Sequence, residues 1–251
     1  MDVETNRPAG FPEDRILYAG DLCLTVNKIP GEAMEGAAPG MADLPKLLAE
    51  KYPSTAGEKP FPLQAVHRLD VPVSGCALFA RTPQSLVFLN AAFAEGRTGK
   101  LYWAIVEQPR DNAGISALRG ILHEGEDLVH WLAFDRRHNK SRAFAEPGPD
   151  RKKGILRCRL CGMGLRYLFL EINLVTGRHH QIRAQLAALG MPVKGDLKYG
   201  ARRSEKTGGI RLHARSLSFP NPDGTGDPIR VTATPPLRDS LWEAFEGTAL
   251  D

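Results

Sequence analysis

GILRCRLCGMGLRYLFLEINL, residues 154–174, decides the fold class. Leu168, Leu170, Ile172 and Leu174 fall on alternate positions, the period of a strand with one face buried. The whole segment reads as two strands. Within it, CRLC at 158–161 invites a zinc reading. A zinc ribbon needs a second cysteine pair, whereas Cys23 and Cys76 stand alone. On a strand, positions three apart also point to opposite faces. No metal is expected, and four unpaired thiols suit a reducing cytosol.

The same period recurs outward from this pair. KLYWAIVE (100–107) sets Leu101, Trp103 and Ile105 on one face and Tyr102, Ala104 and Val106 on the other. ILYAGDLCLTVNK (16–28) reads as two strands about a Gly-Asp turn. Residues 210–219 and 228–234 read as closing strands. Helical signals are shorter: LPKLLAEKY (44–52), a helix begun by Thr82-Pro83 and stopped by Gly96, HQIRAQLAALG (180–190), and LRDSLWEAF (237–245). Region 108–153 reads as turn-rich and basic, with short strands between long loops. Strands without regular βαβ alternation predict an α+β fold, a mainly antiparallel mixed sheet with flanking short helices. Residues 1–15 read as a flexible tail and 16–251 as a single domain.

At 251 residues and 42% hydrophobic composition the chain can bury a real core. No apolar run approaches the roughly 20 residues that span a bilayer, and the polar start lacks a secretion signal. A cytoplasmic monomer without membrane contact is the expectation. The net charge of +4 is unevenly spread: segments 136–159 and 176–215 each carry nine Lys or Arg against two acids. Together they hold +14, leaving −10 on the rest. Such segregation suits a polyanion, usually nucleic acid; a solvated basic face is the plainer alternative.

Three places could carry chemistry. Asp70 lies in the turn-like DVPVSG, just before the apolar run CALFA, where a rigid scaffold can present a carboxylate; such an Asp more often caps its own turn. Tyr102 could turn its hydroxyl into an apolar pocket, although a tyrosine packed by its ring is commoner. Arg178, His179, His180, Gln181 and Arg183 crowd the start of a short helix. Neighbouring histidines on a helix rarely share one ion, so this cluster reads as an anion holder.

These pieces together resemble the pseudouridine synthases of the type named after ribosomal large subunit pseudouridine synthase A. HRLDVPVSGCALFAR (67–81) resembles that family's H-R-L-D motif, KLYWAIVE its K-x-Y-x-A-x-V strand, and GRHHQIRAQLAALGMPVKGDLKYG (177–200) its G-R-x-H-Q-I-R signature. ILYAGDLCLTVNKIPG and LHARSLSF (212–219) resemble its opening and late strands. Val73 departs from the usual threonine, and Gln185 stands where a histidine is common. The basic region 108–153 matches no motif of the family. No separate N-terminal RNA-binding domain is expected.

The resemblance implies the pseudouridine synthase catalytic fold and an isomerisation of uridine in ribosomal or transfer RNA. The N1–C1′ bond is broken, the base rotates and C5 rejoins C1′, with no cofactor. It implies that Asp70 is the catalytic carboxylate, that Arg183 pairs with it, and that Tyr102 lies by the base and takes the C5 proton. Arg68 would fill the gap left by the flipped nucleotide, with His67 beside it facing RNA. Arg178, His180 and Gln181 would line the RNA side, and the basic segments would grip phosphates. Two rival readings remain. A glycosidase needs a second carboxylate about 5 to 10 Å away, and only Asp196, read as a turn acid, is near. The other rival is an RNA-binding module or chaperone without turnover.

Overall fold

The alternating leucines of 168–174 lie at the centre of an eleven-stranded sheet in a computed structural model that describes residues 11–53, 55–56, 59–109, 127–206 and 208–249. In chain order come β1 (Ile16–Ala19), β2 (Cys23–Lys28), α1 (Leu44–Ala49), and the small ribbon β3 (Thr55–Ala56) and β4 (Lys59–Pro60). β5 (Gln64–Ala65), β6 (Ser74–Ala80), α2 (Pro83–Ala94), β7 (Gly99–Glu107), β8 (Asp127–Asp135) and β9 (Lys140–Phe144) follow. The chain then forms β10 (Lys152–Met163), β11 (Tyr167–Leu174), α3 (Gln181–Ala188), β12 (Leu212–Phe219), β13 (Ile229–Thr232) and α4 (Ser240–Ala249).

The main sheet runs β1-β2-β6-β12-β7-β11-β10-β8-β9, with β13 beside β12 and β5 beside β6. Every pairing between these strands is antiparallel except β6 with β12. That parallel crossing requires Gly75. Its φ is +116°, and a Cβ there would collide with the Ala214 carbonyl oxygen. Beside it Ser74 bonds His213 Nδ1 at 2.9 Å, and His213 Nε2 bonds the Ala233 carbonyl at 3.0 Å. A carbonyl only accepts, so Nε2 carries the proton and the Ser74 hydroxyl donates to Nδ1.

Strand alternation sorts the core into two faces. Phe79, Tyr102, Ala104, Val106, Leu168, Leu170 and Ile172 join Leu44 and Leu48 of α1 and Ile182 and Leu186 of α3 on the front. Behind, Leu78, Leu217 and Phe219 pack with Leu89 of α2, while Trp103, Ile105 and Phe169 meet Trp242 and Phe245 of α4. α2 starts with a reciprocal Thr82–Ser85 capping box. Cys158 is in the front core and Cys161 packs behind, so the two thiols of CRLC lie on opposite faces.

Two boundaries differ from expectation. Packed structure reaches back to Phe11, which is buried in the front core, and Arg15 pairs with Glu32; residues 1–10 of the expected tail lie outside the described residues. In the region read as short strands and long loops, β8 and β9 form a hairpin with a nine-residue first strand. DLVHWLAFD has apolar residues on both faces, which hides its period. Residues 110–126 of that region lie outside the described residues.

Candidate active site

Asp70 opens the turn that leads into β6, where the Val73 N–H donates to the Asp70 carbonyl at 2.9 Å. Leu69 and Val73 are buried, and the carboxylate between them stays 25% exposed. The turn is held from two more directions, by the Gly31 N–H on the Val71 carbonyl and the Ile210 N–H on the Pro72 carbonyl. Beneath it lies Lys28, 0% exposed. Its Nζ donates to the carbonyls of Asp70, Val71 and Val73 at 3.3, 3.0 and 2.6 Å, and reaches the Ile29 carbonyl at 3.2 Å. Burial draws the ammonium down to about 8, against the opposing pull of Glu32 and Asp70. A buried cation thus fixes the backbone that presents a carboxylate.

Arg183, on the first turn of α3, reaches Asp70 across the fold: Nη1 donates to Oδ2 at 2.8 Å. The same guanidinium grips Asp196 in bidentate fashion, through Nε at 2.6 Å and Nη2 at 2.9 Å. Burial by itself would lower this arginine; the hydrogen bonds and charges of Asp196 and Asp70 outweigh it and hold the group above its ordinary value. Asp196 is 2% exposed, so both its oxygens are spent on orienting Arg183. The sequence reading of Asp196 as a turn acid is corrected: it is the rear anchor of the site's arginine.

The histidines close the other side. His180 has a left-handed backbone (φ 51°), a conformation that costs on the order of 1 kcal/mol or more and often marks functional sites. Its Nε2 lies 3.5 Å from Asp70 Oδ2 and its Nδ1 is 3.0 Å from the Tyr199 hydroxyl. Burial, then the charges of Arg183, His179 and Lys198, push it down to about 2, so it faces Asp70 as a neutral imidazole. The Tyr199 ring packs under the Arg183 guanidinium at 4.9 Å. Tyr102, on the front face of β7, is buried. Burial first, then the charges of Asp70 and Cys76, push its phenol above its ordinary value. It is a neutral phenol close enough to feel Asp70.

The structure therefore brings Asp70, Arg183 and His180 into contact, with Tyr102 on the same face of the sheet as the buried Leu69 and Val73 that flank Asp70. Arg68 and Arg178 are exposed, the latter with Nε on the Lys153 carbonyl at 3.2 Å. Two residues expected to face RNA, His67 and Gln181, are turned inward, and a third, His180, is held against Asp70. His67 turns inward: its Nε2 accepts the Leu78 N–H at 3.2 Å and its ring stacks on Phe93 at 5.2 Å, with burial drawing the imidazole down to about 4. His180 points to Asp70. Gln181 is a buried strut, accepting from Thr176 and the Arg178 N–H and donating to the Ile155 carbonyl. Each is held by a backbone or side-chain partner remote in sequence, which no local pattern reveals. Lys28, Asp196 and Tyr199 were missed as parts of the site; the glycines framing GDLKYG were the one local hint for the last two.

With the geometry in place, likeness to known proteins is specific. The model of the RNA pseudouridylate synthase family matches residues 23–188. An uncharacterized RNA pseudouridine synthase of Zymomonas mobilis is 31% identical over 206 residues, 82% of this chain and 87% of that one. Ribosomal large subunit pseudouridine synthase C of Escherichia coli O157:H7 is 30% identical over 248 residues, 93% of this chain and 69% of its own. The solved structure of human RNA pseudouridylate synthase domain containing 4 superposes with a TM-score of 0.68 at 18% identity, covering 94% of this chain and 92% of its own, a likeness of fold. The chain belongs to the RNA pseudouridylate synthase family. Members of that family are isomerases, and this chain is one of them.

Proposed function

We propose that this chain converts uridine in structured RNA, ribosomal or transfer, into pseudouridine, with Asp70 as the carboxylate that acts on the ribose. The observation that carries the reading is the Asp70–Arg183 contact at 2.8 Å, made by residues 113 apart in sequence and braced by Asp196 behind. Two routes use the same Asp70 oxygen: attack on C1′, or removal of a 2′ proton to give a glycal. In both the N1–C1′ bond breaks, the freed base turns over, C5 bonds to C1′ as its proton leaves and N1 gains one, and on the glycal route the 2′ proton returns to C2′. Nothing is oxidised or reduced, so the exchange needs no redox partner.

Arg183 holds the charge of Asp70 in place, and neutral His180 adds no competing cation. Tyr102 supplies the wall beside the base. Its upward-shifted phenol weighs against its expected part as acceptor of the C5 proton. Arg68, exposed two residues before Asp70, would occupy the space of a flipped nucleotide. The basic segments then meet phosphates. This reading carries with it a cytoplasmic location and a monomeric state; among the described residues no helix is long and apolar enough to cross a membrane.

The glycosidase alternative loses its second acid, because Asp196 is committed to Arg183 and nearly inaccessible. Mapping pseudouridines in total RNA from cells with and without the protein tests the proposal and names the substrate. Sites that vanish on deletion and return with the wild-type chain, but not with Asp70→Ala, support it. An unchanged map would support a binding module without turnover.

A further inference from the structure

Along β8, Leu128, Leu132 and Phe134 point to the same face. Leu132 packs with Ala184 of α3 and with Tyr199. Phe134, two residues on, lies past the start of α3 and meets the His179 ring at 4.3 Å and 56°. It is 48% exposed. A phenylalanine this open gains little from folding. From it a line of rings leads inward: His179 stacks on His180 at 3.8 Å, and His180 meets Tyr199 edge-on at 5.6 Å and Asp70 through Nε2. His179 is held still. The Ser141 hydroxyl donates to its carbonyl at 2.6 Å, so its own Nδ1 donates to Ser141 Oγ at 3.0 Å. Arg136, Arg137, Arg142 and Arg178, all exposed, occupy the adjoining hairpin and the approach to α3.

We propose that Phe134, backed by His179, is a stacking platform for an unpaired base next to the nucleotide that Asp70 processes. The inference rests on the RNA reading above and deepens it. A flat aromatic face beside cations is the combination that holds single-stranded nucleic acid: the cations take phosphates and the ring takes a base of any sequence. Flipping one nucleotide also deprives its neighbours of a stacking partner, and Phe134 lies two ring contacts from the histidine that touches Asp70. The charge around it favours a polyanion over an apolar protein surface. The basic end of region 108–153, which matched no motif of the family, thereby acquires a role.

The test compares binding of a short oligouridylate with that of an abasic ribose–phosphate oligomer of equal length, which has the same charge but no bases. Phe134→Ala is expected to weaken the oligouridylate about tenfold and leave the abasic oligomer unchanged. Phe134→Trp restores binding; Phe134→Leu, apolar but not flat, does not. Phe134→Ala binding both oligomers like wild type, or losing both equally, overturns the platform. Pseudouridine formation by the wild-type chain on total RNA, followed in parallel, separates the two levels. With turnover intact and Phe134→Ala neutral, the platform alone falls; with neither turnover nor binding by wild type, the RNA reading falls with it.

Discussion

Lys28 is the residue whose place is least expected. Lysine is almost never fully buried unless paired, yet here its ammonium lies among four carbonyls and holds the strand end to the turn of Asp70. Lys28→Met keeps the length and removes the donor at 2.6 Å from the Val73 carbonyl, while the Asp70 and Val71 carbonyls keep only the N–H groups of Val73 and Gly31. We expect a loss of about 3 kcal/mol in a denaturant titration, together with a lower kcat, because the turn that aims Asp70 slackens. A variant as stable and active as wild type would show that the turn holds itself. At this scale the sequence was partly legible. Asp70 and Arg183 stand in motifs that could be quoted in order, whereas Lys28 and Asp196 are ordinary charged residues until partners from other elements surround them.

At the scale of elements, the parallel contact of β6 with β12 ties the Asp70 turn to the rest of the sheet. Gly75→Ala drives a Cβ into the Ala214 carbonyl, so we expect more than about 3 kcal/mol of destabilisation and reduced turnover. Thr82→Ala, which removes the α2 cap on the back of the sheet, serves as the contrast: about 1 kcal/mol less stable, with kcat unchanged. Equal effects of the two on kcat would contradict the link between β6 and the site. The same crossing gives a pH dependence. Burial draws His213 down to about 4, so below about 6.5 the unfolded chain takes up a proton that the folded chain refuses. Stability is therefore complete above that pH and is lost as pH falls through about 4, by on the order of 3 kcal/mol for this group. His67 and His180, also shifted down, act in the same direction. A urea midpoint that stays flat across this window would contradict the buried neutral imidazole. Strands with clean alternation, β7 and β11, were legible from sequence. β8 was not, since apolar residues on both its faces erase the two-residue period.

For the whole molecule, charge separation is the property that composition hides: +14 on two segments against −10 elsewhere averages to an unremarkable +4. The first of these segments runs through β9 and most of β10, next to β8 that carries the exposed Phe134, and the second begins at the approach to α3 with the exposed Arg178. RNA affinity is expected to fall linearly with salt on logarithmic axes, and Arg142→Ala to lower the slope by about one unit if it meets a phosphate. An affinity independent of salt would mean that the basic face is merely solvated. The antiparallel architecture could be read in advance because strand periods are local. The line of rings from Phe134 to Asp70 could not, because its members come from three separate segments.

In the proposed reaction the Asp70 carboxylate, held by Arg183, performs the chemistry. The direct measurement is pseudouridine formed from uridine-containing RNA by Asp70→Asn, with RNA binding measured on the same preparation. The amide keeps the size and the turn but lacks the charge, so turnover should vanish while binding stays within a few-fold of wild type. Pseudouridine appearing at the wild-type rate would contradict the account.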